Sequence, residues 1–330
     1  MNPYTKKEPY IPSPNIKSLR QQFDELIRLN EEFNTPNCML ITGESGSGKS
    51  ELAKRYLAAN PIYEDSTGIK QPVLHLEIKT ANTPKDVLTS LLIGIKDPQM
   101  GQGARNASEL FTRFVRLSKV IKFKLIILDE VQVIIERRSE KVISGIGDLF
   151  KDLIKETGIP IVFMGMPWTR YLIDSNPQLN GRIAIRHTMP IFKVSNSELF
   201  TNFVSFFKAL AKAYELPETF QNPSKDLSLR IFAYSKGNVR KISHLLRNVF
   251  IFSASNAQEA NLKTIGEIVA SLGYPDTTNP FRQKITEVII EENLTESDFL
   301  FAKRTKGNSI VAPDIAKFRI TKDLRIYPMN

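Results

Sequence analysis

The stretch GESGSGKS, residues 43–50, constrains the fold of this chain more than any other segment. It follows the apolar run CMLI and leads into ELAKRYL, so we expect a buried strand before it and a helix after it. The spacing G-x-x-x-x-G-K-[ST] in that setting is typical of a loop whose backbone N–H groups surround phosphate. The sequence therefore predicts a nucleotide site made of Gly43, Glu44, Ser45, Gly46, Ser47, Gly48, Lys49, Ser50 and Glu51.

A second motif, LIILDE at residues 125–130, ends an apolar strand in two carboxylates. With the glycine-rich loop, it predicts a site for ATP and Mg²⁺. Lys49 is expected to neutralise the β- and γ-phosphates, and Ser50 and Asp129 to hold Mg²⁺. Glu130 is expected to orient or deprotonate the attacking water, which favours ATP hydrolysis over a GTP switch.

Apolar strands alternate with helical patterns through the first half of the chain. Such strands, buried on both faces, imply a doubly wound parallel sheet of an α/β domain. Pro190 favours an edge position for the last strand. The expected strands cover residues 38–42, 73–78, 124–130, 159–165 and 187–192.

The length of 330 residues exceeds a usual single core, so we expect two domains with peripheral segments. Residues 1–14 hold four prolines and predict an extended arm. Residues 15–193 are expected to form the α/β domain. A capping box, SNSE at residues 195–198, opens a small all-helical lid domain over residues 194–274. Residues 275–330 are expected to be a short, basic and partly disordered tail.

The formal net charge of +10 and the pI near 9.5 favour a nucleic-acid or anionic-membrane partner. No apolar run approaches the roughly 18 to 20 residues that span a bilayer, and the first residues lack a signal-peptide core. We therefore expect a cytoplasmic protein. The single cysteine, Cys38, excludes an internal disulfide and a cysteine-based zinc site.

Three arginines are candidates for contact with the γ-phosphate. Arg182 and Arg186, in NGRIAIRH, precede the expected fifth strand, where either one could reach a neighbouring subunit's nucleotide as an arginine finger. The alternative for both is an ordinary surface arginine. Arg240, in SKGNVRKI, opens a helix of the lid and could contact the nucleotide from that side, or could form only a helix-start salt bridge.

These motifs together resemble those of AAA+ P-loop ATPases over about residues 15–272. GNVR resembles the sensor-2 motif, which gives that role to Arg240. The segments DEVQ, IPIVFMGMP and PQLNGRI are similar to those of the TniB/TnsC family of transposition regulators, which includes the TnsC proteins of CRISPR-associated transposons. One departure is that VFMGMPW carries no polar sensor-1 residue before Thr169, so we expect slow hydrolysis.

The resemblance implies ATP-driven self-assembly on double-stranded DNA. The expected assembly is a ring or filament, hexameric or heptameric per turn, associated with the nucleoid. The implied protein partners are a TniQ-type target selector and transposase subunits.

The resemblance also suggests where DNA would lie, on helices and loops after the second strand and near the third. Arg113 and Arg116 are three residues apart, so one helix face could present both to phosphates. Arg137 and Arg138 form a second candidate pair. The main candidates are Lys79, Lys85, Arg105, Arg113, Arg116 and Lys119.

Two other functions fit the same motifs. A replication initiator or helicase loader would share the fold and the basic surface. A nucleotide-stabilised scaffold would bind ATP but barely hydrolyse it.

Overall fold

The structure is a computed structural model that describes residues 9, 11, 14–136, 138–256, 261–300 and 309–329. Its strands in chain order are β1 (Cys38–Thr42), β2 (Tyr63–Asp65), β3 (Gly68–Lys70), β4 (Val73–Glu77), β5 (Leu125–Asp129), β6 (Ile161–Gly165), β7 (Ile183–Thr188), β8 (Ile289–Asn293), β9 (Asp298–Leu300), β10 (Ser309–Val311), β11 (Ile315–Ile320) and β12 (Ile326–Pro328). Its α-helices are α1 (Pro14–Phe33), α2 (Lys49–Ala59), α3 (Pro84–Gly94), α4 (Ala107–Ile121), α5 (Glu140–Thr157), α6 (Arg170–Asp174), α7 (Pro177–Asn180), α8 (Ser197–Ala213), α9 (Glu218–Gln221), α10 (Lys225–Ser235), α11 (Val239–Asn256) and α12 (Leu262–Ser271).

Five parallel strands form the central sheet, in the order β4-β5-β6-β1-β7. Alternate residues of a strand point to opposite faces, and both faces are buried. In β1, Leu40 packs into the cluster that includes residues of α3, α4 and α5, whereas Met39 and Ile41 pack into the cluster that includes residues of α1 and α2. The doubly wound parallel sheet predicted from the sequence is therefore confirmed.

The strand order brings the two motifs together. Only β6 separates β1 from β5, and all three strands run in the same direction. The carboxyl ends of β1 and β5 therefore meet at one edge of the sheet, where ligands bind in open α/β folds. The glycine-rich loop follows β1, and the two acids lie at the end of β5.

The fifth strand begins and ends earlier than predicted. It was expected over residues 187–192, but β7 spans Ile183–Thr188 and lies at the edge of the sheet beside β1. The Met189 N–H still donates to the Thr42 carbonyl at 2.7 Å. Pro190 has no N–H to continue the ladder. Arg186 consequently lies within the strand, and only Arg182 precedes it.

Helices α8 to α12 enclose a separate hydrophobic core that includes Phe203, Phe207, Phe232 and Leu246. The first buried residue of this core along the chain is Val194. The predicted capping box at residues 195–198 is wrong in detail. Asn196, not Ser195, caps α8, because its side chain accepts the Leu199 N–H at 2.8 Å.

A main-chain contact joins the segment after β7 to the loop before α11. The Phe192 N–H donates to the Gly237 carbonyl at 3.0 Å. Gly237 has φ +75°, and a Cβ there would lie 2.0 Å from the Phe192 carbonyl oxygen. Glycine is therefore required at this joint on both backbone and steric grounds.

The segment expected to be an irregular tail contains strands. β8, β11 and β12 form an antiparallel sheet, and β9 pairs with β10. Ile290 and Ile320 are buried in the lid core, so this sheet is part of the fold. The prediction of an irregular tail is therefore wrong for residues 289–300 and 309–328. The basic stretch KRTKG and most of the predicted arm, residues 1–8, 10, 12 and 13, lie outside the described residues.

Candidate functional site

The glycine-rich loop between β1 and α2 depends on close main-chain approach. A Cβ at Gly43 would lie 2.5 Å from the Met189 carbonyl oxygen, and Gly48 has φ +102°. Gly48 is the N-cap residue of α2, and no side chain caps this helix. The positive end of the helix dipole, with its free backbone donors, therefore faces the loop, an arrangement that attracts anions.

Lys49 is buried under the loop. Its Nζ donates to the carbonyl oxygens of Gly43 at 2.6 Å and Glu44 at 3.1 Å. Burial lowers the pKa of Lys49, and the nearby carboxylates of Asp129 and Glu130 oppose that shift. The ammonium group is thus held beside the loop, where a phosphate can replace carbonyl oxygens as its partner.

Asp129 is 2% exposed at the end of β5. Burial alone would raise its pKa, but polar neighbours, foremost His75 and the Ser50 hydroxyl, hold the pKa below the ordinary value. The His75 Nε2 lies 3.8 Å from Asp129 Oδ2, so its influence is electrostatic rather than a short hydrogen bond. An ionised carboxylate beside a hydroxyl is a ligand pair that suits Mg²⁺.

Glu130 follows in a left-handed backbone conformation, φ 58°, which turns its side chain away from the strand direction. Its Oε2 accepts the Gln132 amide at 2.5 Å. The Gln132 Oε1 in turn accepts the Met166 N–H at 3.1 Å, which fixes which end of the amide faces Glu130. The buried Gln132 therefore connects the carboxylate to the end of β6.

The sequence pattern does not identify Gln132 as a site residue, although this glutamine lies in the DEVQ segment that resembles the TniB/TnsC family. Gly165 shows how closely this region is packed, because a Cβ there would lie 2.5 Å from the Gln132 Oε1. Thr169, the polar residue nearest the expected sensor-1 position, is fully buried, and its hydroxyl has no hydrogen-bond partner within the described part of the chain. The side chain that donates a hydrogen bond to Glu130 is therefore Gln132 rather than Thr169.

Substitution Gln132→Ala is expected to lower the rate of ATP hydrolysis about tenfold, because Glu130 loses the group that orients it. ATP affinity should stay within about twofold, since Gln132 does not line the cavity beside the glycine-rich loop. Phosphate release at saturating ATP and titration with a fluorescent ATP analogue measure the two effects. Gln71→Ala, before the amino end of β4, is the matched control. An unchanged rate in Gln132→Ala would contradict this orienting role.

The loop, Lys49, Glu130 and Arg240 line one cavity of about 370 Å³. Its apolar wall combines residues from the N-terminal segment and the lid: Ile11, Ile16, Phe206, Leu210 and Val239. The lid also touches the loop directly, because Asn238 Nδ2 donates to the Ser45 carbonyl at 2.7 Å. Arg240 is close enough to Lys49 for its positive charge to lower the pKa of that lysine.

The two candidate finger arginines lie away from this cavity. Neither Arg182 nor Arg186 lines it. Arg186 pairs with Asp174 at 3.1 Å and donates to Asn180 Oδ1 at 2.7 Å, both at the surface. Arg182 has no ion-pair partner among the described residues. An anion that binds the Arg182 side chain would therefore have to break fewer existing contacts than one that binds Arg186.

The candidate DNA-contacting residues do not share one environment. Arg113 is committed to the loop before α4, because its guanidinium pairs with Asp97 and its side chain is only 15% exposed. The expectation that Arg113 and Arg116 present one face to phosphate is therefore wrong for Arg113. Arg138 donates to the Ala81 carbonyl at 3.1 Å, and Arg137 lies outside the described residues. The exposed candidates are Lys79, Lys85, Arg105, Arg116 and Lys119.

The residues around the cavity fit a nucleoside triphosphate with Mg²⁺. The uncapped helix and Lys49 provide positive charge for phosphates, and the buried, ionised Asp129 provides an oxygen ligand. The apolar wall suits a base. The cavity therefore suits a nucleotide by its hydrogen-bond donors, its charge and its shape.

Solved structures with a similar fold include the ORC1 protein of Aeropyrum pernix in complex with DNA. That match has a TM-score of 0.57 and 14% identity, and covers 82% of this chain and 68% of that chain. The Aeropyrum pernix ORC2 protein, solved as ADPNP-ADP complexes, has a TM-score of 0.56 and 16% identity over 80% of this chain and 70% of that one. At such identities the similarity shows that the P-loop α/β fold is shared, and nothing more.

A curated sequence, the multidrug resistance protein MdtC of Proteus mirabilis, is 26% identical over 213 residues, 60% of this chain. The chain spans only 19% of that protein's length, so the match concerns a segment of it. Among the described residues of this chain, no helix is long and apolar enough to cross a membrane.

The family comparison agrees with the motifs in the α/β domain. The model of the bacterial TniB protein family matches residues 3–192, more than half of the chain. The matched region contains the glycine-rich loop, the two carboxylates at the end of β5, Gln132 and β7. This chain belongs to the bacterial TniB protein family.

Proposed function

We propose that this TniB-family protein is an ATP-dependent, DNA-binding AAA+ regulator of transposition. In this proposal it oligomerises on double-stranded target DNA, links a target selector to transposase activation, and hydrolyses ATP to disassemble. The observation that carries the proposal is the convergence of Lys49, Glu130 and Arg240 on one cavity, with Asp129 beside it. A nucleotide bound there would contact both the sheet and the lid.

The proposed chemistry assigns one task to each side chain. Lys49 and the backbone of the loop bind the β- and γ-phosphates. Ser50 and Asp129 hold Mg²⁺, which when bound neutralises charge on the phosphate oxygens. The Glu130 carboxylate accepts a proton from the attacking water, and Gln132 keeps that carboxylate oriented. Arg240 stabilises negative charge from the lid side.

The proposed assembly places nucleotide at a junction between subunits. Arg182 precedes the edge strand β7 and Arg186 lies in it, and neither lines the cavity of its own subunit. An arginine at the sheet edge can instead reach the γ-phosphate bound to a neighbouring subunit. We propose that residues 15–193 supply the nucleotide domain, and that residues 194–274, together with the sheet of β8, β11 and β12 that packs on them, supply the lid. The exposed cations of the α3 and α4 region would contact the DNA backbone, and the charge of +10 supports that role.

The test is nucleotide-dependent binding of duplex DNA. We expect a labelled duplex to bind about tenfold or more tightly with a slowly hydrolysed ATP analogue than without nucleotide, by fluorescence anisotropy. Binding should weaken steeply as salt rises. Arg116→Ala combined with Lys119→Ala should reduce duplex binding, and Lys212→Ala combined with Lys263→Ala on the lid is the charge-matched control.

Three outcomes would redirect the proposal. Equal duplex binding with and without nucleotide would overturn the ATP gate. A preference for single-stranded DNA or a replicative helicase would indicate a helicase loader. Oligomers that form equally without nucleotide, with no measurable turnover, would indicate a scaffold.

A further inference from the structure

The residues Ser297, Asp298 and Phe299, which we call the anchor segment, each contact the α/β domain by a different kind of interaction. The Ser297 N–H and hydroxyl both donate to Glu44 Oε1, each at 2.7 Å. The Asp298 carboxylate accepts hydrogen bonds from the Arg170 guanidinium at 2.9 Å and from the Tyr171 hydroxyl at 2.8 Å. Phe299 stacks on Trp168, with ring centroids 6.2 Å apart. The segment is thereby fixed beside the candidate site.

The chain reaches the anchor segment from the lid. Ile290, in β8, is buried in the lid core, and Glu292 accepts the Val194 N–H at 2.5 Å. Phe299, seven residues further on, is buried in the core of the α/β domain. The polypeptide therefore passes from the α/β domain to the lid at residues 193–194, and it returns to the α/β domain between residues 293 and 297. The second crossing ends on the phosphate loop.

Glu44 connects the anchor segment to the part of the phosphate loop that Lys49 contacts. Its backbone carbonyl accepts both the Ser47 N–H at 3.2 Å and Lys49 Nζ at 3.1 Å, so the same residue helps to shape the loop. Ser297 is only 5% exposed, so water does not easily replace its hydroxyl. Hydrogen bonds to a carboxylate are stronger than neutral ones. Fixing the Glu44 side chain therefore restricts the backbone that Lys49 contacts.

We propose that Ser297 is a positioning residue for nucleotide binding. It holds Glu44, and through it the phosphate loop, in the shape that accepts phosphates, and the anchor segment thereby couples the lid to the loop. This inference rests on the proposed ATP site. It adds a residue from beyond the segment that matches the family, on the C-terminal side of the chain.

The experiment is a double-mutant cycle on nucleotide affinity. Ser297→Ala is expected to weaken binding of a fluorescent ATP analogue about fivefold, because one of two bonds to Glu44 is lost. Glu44→Ala should weaken it about tenfold. In the Glu44→Ala background, Ser297→Ala should add little, since its partner is gone. The hydrolysis rate at saturating ATP should change less than affinity does, because Ser297 touches none of the reacting groups.

Thr295→Ala is the matched control. Thr295 lies two residues before Ser297, is exposed, and contacts Asp314 rather than the phosphate loop, so ATP affinity should be unchanged. Additive effects of the two substitutions, or a fall in melting temperature of Ser297→Ala without a loss of affinity, would overturn the positioning role. Wild-type protein that binds no ATP analogue would instead overturn the proposed function, and this inference with it.

Discussion

Lys49→Ala should lower the affinity for ATP about a hundredfold or more. The side chain is 6% exposed and its ammonium lies under the phosphate loop, so the substitution removes a buried cation from the phosphate site. Loss of a buried, charge-assisted contact costs about 3 kcal/mol, which corresponds to this change. Isothermal titration with ATP and Mg²⁺ measures the affinity. Nucleotide-dependent binding to duplex DNA should disappear with it.

Lys155→Ala on the exposed end of α5 is the matched control for the Lys49 substitution. It removes the same charge from the protein but lies in a different helix, so ATP affinity should remain at the wild-type value. Cooperative thermal unfolding of Lys49→Ala would show that the loss is not misfolding. Wild-type ATP affinity in a folded Lys49→Ala protein would contradict the assignment of the phosphate site.

Glu130→Gln should reduce the rate of ATP hydrolysis about a hundredfold or more while ATP affinity stays within about threefold. The amide keeps the size of the side chain but cannot accept the proton of the attacking water, and general bases contribute roughly this much or more. Asp129, the proposed Mg²⁺ ligand, is not changed by this substitution. Phosphate release under saturating ATP gives the rate, and assemblies on DNA should persist for longer.

The control for Glu130→Gln is Glu156→Gln, the same change at an exposed position near the end of α5. Its hydrolysis rate should equal that of the wild type. If Glu130→Gln hydrolysed ATP normally, another group would have to activate the water. Faster dissociation of its DNA assemblies would likewise contradict the proposed link between hydrolysis and disassembly.

The parts of the site that depend on contiguous sequence were predictable. The phosphate loop and the two acids are short motifs attached to apolar strands, and β1, β4, β5 and β6 lie within two residues of their expected bounds. Burial on both faces makes such strands almost entirely apolar, so pattern alone identifies them. The position of Lys49 beside Glu130 then follows from the sheet order that this fold adopts.

The contacts that cross the chain were not predictable from any local pattern. Ser297 meets Glu44 across 253 positions and Asn238 meets Ser45 across 193. Ser, Asn and Gln side chains carry no periodic signal that reveals such partners. The prediction that Arg113 contacts DNA was wrong for a similar reason, because its guanidinium forms an ion pair with Asp97.

The strands of residues 289–328 escaped prediction because they are short and their outward positions are mixed. Glu291, Lys317 and Arg319 alternate with buried or half-buried residues over only a few positions, and a tail rich in charge can show the same pattern by chance. Only the lid core that they cover makes the alternation meaningful. Tertiary packing, rather than local preference, therefore determines this sheet.

The glycine joint at Phe192 and Gly237 has a consequence for communication between neighbouring sites in an assembly. Phe192 lies six positions after Arg186 of the outer strand, and Arg240 lies three positions after Gly237. A rigid backbone hydrogen bond connects these two short spans. In the proposed assembly, a neighbour that displaces the outer strand would therefore also shift the lid arginine of the same subunit, so that nucleotide bound at one junction would affect the next junction.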